Sequence, residues 1–149
     1  MTEKNMMSEF NEAAVHTAVR GWYAALDRHD DVGAVLPYVV DEGFEMHMPE
    51  GVFYGRTGFL EWYERVVNTF FDEEHTVERV DVSFLGEETA KVAVRVNWQA
   101  RVWEPPEPVS SWLGFDARQT WTVVWQDDSV RVRRYVIEGL EAMPGSAPL

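Results

Sequence analysis

Apolar residues follow a helical spacing in the first half of the chain and a strand spacing in the second. They recur every three or four positions over 9–27 and over 59–70, which predicts two amphipathic helices. A short helix capped by Asp30 or Asp31 is predicted between them, and Pro37 ends that unit. The sequence therefore predicts three helices before its long strands begin.

The remaining chain alternates between apolar and polar positions, which predicts strands. Two short strands flank a turn, and four long strands follow the third helix. The predicted strands are Phe44–Met48, Val52–Tyr54, His75–Phe84, Thr89–Trp103, Leu113–Trp125 and Val130–Gly139. Because long strands must bend around the helices, we expect an α+β domain in which three helices pack on a strongly curved mixed or antiparallel sheet.

Length and composition predict one domain with a large aromatic load. The 149 residues include seven Trp, eight Phe and five Tyr, and such side chains fill cores and pockets. We expect about 9–141 to be ordered and both ends to be flexible. The net charge of −13 disfavours nucleic acid and anionic membranes as partners. The polar start and the lack of a long apolar stretch favour a cytoplasmic protein.

The sequence carries no pattern typical of a metal or cofactor site. It has no cysteine, which excludes a thiol nucleophile, a disulfide and a cysteine-based zinc site. Its four histidines lack metal-ligand spacing, and no glycine-rich phosphate loop or serine elbow is present. We therefore expect chemistry, if there is any, to use neither metal nor cofactor.

Four stretches resemble the nuclear-transport-factor-2-like (cystatin-like) superfamily, in particular its SnoaL-like branch. They are Trp22–Asp27, Glu50–Gly58, His75–Val77 and the Trp121–Ile137 hairpin. The resemblance implies a cone whose sheet encloses a pocket, and a homodimer formed through the outer sheet face. The family includes isomerases, dehydratases, cyclases and members that only bind or assemble, so the fold leaves the function open.

The resemblance also implies a catalytic pair, Asp27 and His75. Related dehydratases and dehydrochlorinases carry an Asp at the end of the first helix and a His early in the strand after the third helix. A carboxylate fixes the imidazole tautomer, so the other ring nitrogen can take a proton from carbon. Tyr23 lies one helical turn before Asp27 and could stabilise developing charge. The alternatives are a solvated Asp27, a structural His75 and a core Tyr23.

Other side chains are candidates for the pocket wall, with core packing as the alternative for each. The predicted pocket residues are Trp22, His47, Tyr63, Trp98, Trp121 and Tyr135. Trp22 and Tyr23 stand where the dehydrochlorinase has a basic residue, so a leaving halide or hydroxide lacks that helper here. Arg133 could pair with an anion, although its crowding with Arg131 and Arg134 favours a solvated cluster.

These patterns favour a protein with a pocket for a small hydrophobic molecule. The sequence predicts a cofactor-independent lyase or isomerase, of dehydratase or cyclase type, in which His75 removes a proton and Asp27 orients it. The alternative is a binding protein or an accessory subunit that uses the same fold without chemistry.

Overall fold

The computed structural model describes residues 9–149, and the predicted loose start, Met1 to Ser8, lies outside them. Helices and strands follow one another in the predicted order. In chain order they are α1 Glu12–Arg28, α2 Val32–Val35, a short 3-10 helix Leu36–Tyr38, β1 Glu45–Met48, β2 Gly51–Tyr54, α3 Gly55–Thr69, β3 Phe70–Phe84, β4 Thr89–Val102, β5 Ser111–Gln126 and β6 Ser129–Ala142.

The six strands form one mixed sheet in the order β2-β1-β6-β5-β4-β3. β1 pairs with β6 in parallel, and the other neighbouring strands are antiparallel. Register shifts interrupt the β3–β4 and β5–β6 pairs, and such bulges bend a strand. Helices α1 and α3 pack on the sheet, which does not close into a barrel. The predicted α+β fold is confirmed.

Helix α1 begins three residues later than the spacing predicts. Asn11 caps it, because its side chain accepts a hydrogen bond from the amide of Ala14 at 2.9 Å. The helix ends at Arg28, and His29 takes the left-handed conformation with φ 52°. This ending places Asp27 in the last turn of the helix and His29 directly after it.

Strand β3 begins at Phe70 rather than at His75, because α3 passes into the strand without a turn. Asp72 then adopts a left-handed backbone with φ 51°, and the register with β4 shifts between Phe71 and Glu74. Beyond this irregularity His75 pairs with Trp98 of β4. The shift therefore sets which side chains of β3 face inward.

The core lies between the helices and the concave face of the sheet. The buried stripe of α1 includes Val15, Val19 and Trp22, which matches the predicted apolar face. Trp22 stacks on Trp62 of α3 with ring centroids 6.0 Å apart and planes 9° apart. Burying each such side chain stabilises the fold by about 1.5–3 kcal/mol.

Two polar side chains on the outer face of β4 are paired within the chain. Asn97 donates to the Asp116 carboxylate at 2.9 Å, and Gln99 donates to Asn97 at 2.9 Å. The segment 143–149, predicted as a flexible tail, runs beside β5, where the Ala147 amide donates to the Trp112 carbonyl at 2.9 Å. The homodimer expected through this face stays a prediction.

Candidate active site

A cavity of about 550 Å³ opens between the helices and the concave sheet face. Leu26 of α1 and Val66 of α3 lie on its helical side, and Phe115 of β5 lies on its sheet side. This volume suits a small organic molecule. Most of the wall is apolar, so each polar group on it is a candidate for ligand recognition or chemistry.

The structure brings the predicted pair Asp27 and His75 together at this cavity. The Nδ1 atom of His75 lies 2.5 Å from Asp27 Oδ1, and the backbone amide of His75 donates to Asp27 Oδ2 at 2.9 Å. Both carboxylate oxygens are therefore occupied by the same residue. Since a carboxylate only accepts, the ring proton sits on Nδ1 in the neutral imidazole.

The second ring nitrogen of His75, Nε2, is left free by the contact with Asp27. Its side chain is only 9% exposed, and His75 lines the cavity wall. Nε2 makes no hydrogen bond to any described residue and is not enclosed by protein atoms. Tyr23 packs beside the ring with centroids 4.7 Å apart, which restricts the imidazole further. The geometry leaves an oriented basic nitrogen facing an apolar space.

Tyr23 does not line the cavity. Its hydroxyl donates to Gln119 Oε1 at 2.7 Å and lies 3.3 Å from the Tyr135 hydroxyl. Burial raises the pKa of Tyr23 well above the usual range. Burial also raises the pKa of Tyr135 to about 12. Both phenols are therefore neutral hydrogen-bonding groups at ordinary pH.

Gln119 is a cavity residue that the sequence analysis missed. Trp121 Nε1, which can only donate, lies 2.8 Å from the same Oε1 atom that accepts from Tyr23. This contact fixes the orientation of the amide. Nε2 of Gln119 makes no hydrogen bond to a described residue and remains open toward the cavity. An oriented N–H donor thus shares the cavity with His75. The sequence does contain a signal for Gln119, because it is a polar residue on the otherwise apolar face of β5.

Glu73 is the second missed residue, and it places a carboxylate on the cavity wall. Its side chain is 3% exposed. Oε2 lies 2.6 Å from His29 Nε2, and Oε1 accepts from Trp98 Nε1 at 3.1 Å. Sequence spacing could not reveal this residue, because Asp72 interrupts the regular alternation of β3 just before it. His29 lies in a run of polar residues, 27–31, whose composition is typical of a solvent-exposed segment.

Of the six predicted pocket residues, only Trp98 and Tyr135 line the cavity. The other four make their contacts elsewhere. Trp22 lies behind Trp62, which takes its place on the wall, and Trp121 is held against Gln119 in the core.

The remaining two, Tyr63 and His47, are held by polar contacts outside the cavity lining. Tyr63 donates to the carbonyl of Asp30, and burial raises the pKa of Tyr63. His47 lies 2.6 Å from Glu45 on β1.

The other predicted features lie away from the cavity. Arg131 approaches Asp41 and Asp127 at 3.9 Å each, as a charge-balancing cluster would. Among residues 9–149 the structure contains no group of three or more His, Cys, Asp or Glu side chains arranged to hold a metal ion. Within the same residues, no helix has the length and apolar character needed to cross a membrane.

Solved structures share this architecture over most of the chain. A candidate scytalone dehydratase from Novosphingobium aromaticivorans superposes with a TM-score of 0.73 at 19% identity, covering 96% of this chain and 89% of that one. A type 3 hexachlorocyclohexane dehydrochlorinase from Novosphingobium barchaimii gives 0.73 at 14% identity and covers 92% of each chain. A candidate dehydratase of the NTF2-like family from Streptomyces avermitilis gives 0.69 at 20% identity, covering 84% and 93%.

No model of a protein family matches the chain, and no curated protein matches it. The likeness is therefore one of fold, since the sequence identities are low and the coverage is nearly complete. The order of helices and strands and the mixed, unclosed sheet agree with it. The chain has the cystatin-like fold that these solved structures share.

Proposed function

We propose that this chain is a cofactor-independent lyase or isomerase that acts on a small hydrophobic molecule. The observation that carries the proposal is the hydrogen-bonded Asp27–His75 pair with its free Nε2 atom at the cavity. His75 takes a proton from carbon, and Asp27 orients the ring and stabilises the imidazolium that forms. The fold is shared with dehydratases and a dehydrochlorinase, which is consistent with this class of reaction.

Gln119 supplies the second part of the proposed chemistry. Its amide N–H donates to an oxygen or nitrogen of the ligand, so the reacting carbon is held near His75. A preorganised donor of this kind also stabilises negative charge as it develops. Tyr23 acts as a positioning residue, because its hydroxyl fixes the Gln119 amide rather than contacting the ligand. In this proposal Gln119, rather than Tyr23, stabilises the developing charge.

A test needs a probe whose reaction depends on a base acting on carbon. 5-Nitro-1,2-benzisoxazole is suitable because it is small, largely apolar and coloured after reaction. The base takes the proton at C3, the C–H electron pair completes a nitrile, and the N–O bond breaks to give a nitrophenolate. We expect the chain to accelerate this reaction and His75→Ala to lower kcat/KM by about 100-fold, within the usual range for general base catalysis.

His47→Ala is the matched control, since His47 also pairs with a carboxylate but does not line the cavity. It should leave the rate unchanged. Binding is followed separately through the fluorescence of Trp62 and Trp98, which both line the cavity. Equal turnover by the unchanged chain and His75→Ala would refute the proposal. Quenching without turnover would instead support the non-catalytic binding protein.

A further inference from the structure

The cavity contains a second imidazole–carboxylate pair, formed by Glu73 and His29. The two side chains are 2.6 Å apart, the same type of contact as in the Asp27–His75 pair. Glu73 lines the cavity, whereas His29 is 27% exposed and does not line it. The pair therefore connects the cavity wall to an imidazole that is partly exposed to solvent.

The two pairs differ in which residue type lines the cavity: a histidine in one pair and a glutamate in the other. In the first pair the imidazole of His75 faces the cavity and Asp27 lies behind it. In the second pair Glu73 lines the cavity, with its carboxylate held by His29 and Trp98, and His29 does not line it. One arrangement presents a lone pair on nitrogen, and the other presents a group that a neighbouring imidazolium can protonate.

Trp98 joins the two pairs on the cavity wall. Its indole N–H donates to Glu73 Oε1 at 3.1 Å, and its ring stacks with His75 at a centroid distance of 6.3 Å and an angle of 26°. Trp98 is also the register partner of His75 across β3 and β4. A bound molecule in contact with Trp98 therefore lies beside both the basic nitrogen and the carboxyl group.

We propose that Glu73 is a second catalytic residue, which protonates the oxygen that leaves when His75 removes a proton from carbon. His29 is its positioning residue and restores the proton from solvent. The inference rests on the proposed function and names a requirement of the substrate: an oxygen leaving group beside the acidic C–H bond. This chain has Trp22 and Tyr23 where the dehydrochlorinase has a basic residue. In this proposal Glu73 assists the leaving group instead.

The proton balance can be written for unsubstituted 1,2-benzisoxazole. His29 first passes its Nε2 proton to Glu73 Oε2, which gives a neutral imidazole and a carboxylic acid. His75 then takes the C3 proton, the nitrile forms, the N–O bond breaks, and the leaving oxygen receives the Glu73 proton. The product is neutral 2-cyanophenol. His75 returns its proton to water, and His29 takes one from water.

The test compares two probes that differ in their need for an acid. The nitro group of 5-nitro-1,2-benzisoxazole stabilises the leaving phenolate, so this probe needs only the base, whereas the unsubstituted compound needs both groups. We expect Glu73→Gln to lower kcat/KM for the unsubstituted compound by about 100-fold, as for loss of a general acid, and to change the nitro compound by less than about threefold. His29→Gln, which keeps an N–H donor but does not titrate, should act in the same direction.

Glu45→Gln is the matched control, because Glu45 also lies 2.6 Å from a histidine but does not line the cavity. It should change neither probe. Retained turnover of the nitro compound shows that a variant is folded and that His75 still acts. Equal losses for both probes in Glu73→Gln, or no loss for either, would overturn the inference. Absence of His75-dependent turnover of the nitro compound in the unchanged chain overturns the proposed function, and the inference with it.

Discussion

Buried phenols should make this protein lose stability steeply at alkaline pH. The pKa of Tyr135 is raised to about 12 by burial, whereas the usual value is 10.0. Between those values an unfolded chain releases a proton that the folded chain retains, so the free energy of unfolding falls as the pH rises. At about 1.4 kcal/mol per pKa unit, integrated over the two titrations, Tyr135 alone removes about 2 kcal/mol between pH 10 and pH 12. Tyr23 is shifted in the same direction and adds to the loss.

Urea denaturation followed by circular dichroism at about pH 9 and about pH 12 measures this effect. Tyr135→Phe should cost about 1 kcal/mol at the lower pH, because a buried hydrogen bond is lost. It should then lose about 2 kcal/mol less than the unchanged chain on going to the higher pH. Tyr54→Phe is the control, since Tyr54 is 65% exposed. If both variants show the same alkaline loss, burial does not hold Tyr135 neutral and the reasoning is wrong.

Two further predictions concern packing and hydrogen bonding, and urea midpoints measure both. Gln119→Leu leaves the Tyr23 hydroxyl and the Trp121 N–H without their acceptor, so we expect a loss of about 2–5 kcal/mol; a loss below about 1 kcal/mol would contradict the network. Gly58→Ala places a Cβ atom 3.0 Å from the backbone of Phe53 and should cost about 1–3 kcal/mol. Gly33→Ala has no atom within 4 Å of the new Cβ and should be neutral or stabilising by up to about 1 kcal/mol; equal effects at both glycines would refute the packing argument.

The helices and strands could be predicted because one face of each is buried. Apolar spacing of 3.6 residues in α1 and α3 and of two residues in β4 follows directly from that burial. The exact ends of helices and strands were harder to predict, because they depend on individual hydrogen bonds and backbone conformations. The cap by Asn11 and the passage from α3 into β3 at Phe70 leave no mark on the spacing. The Asp27–His75 pair could be placed only through the family resemblance.

The polar wall of the cavity could not be predicted as a whole. Gln119 has a visible signal, since it is a polar residue among buried neighbours on β5. Glu73 has none, because Asp72 and the register shift decide that it turns inward. The same limit applies to the predicted aromatic pocket residues that do not line the cavity, since periodicity shows that an aromatic is buried but not whether it meets a cavity or another ring. Trp22 lies behind Trp62 for this reason.

The chemical value of an imidazole–carboxylate pair in this fold depends on where it lies and which member faces inward. His47 and Glu45 are as close as His29 and Glu73, at 2.6 Å, yet each of the first two is about one-third exposed on β1. Water screens such a pair and can replace either partner, so it contributes little beyond a surface contact. At the cavity the side chains of Glu73 and His75 are only 3% and 9% exposed, so water competes little for their hydrogen bonds. Exclusion of water strengthens their interactions with charge that develops there. In the proposed mechanism the same two residue types therefore provide a base on one part of the wall and an acid on another, because β3 carries the imidazole of one pair and the carboxylate of the other, while the end of α1 carries their partners.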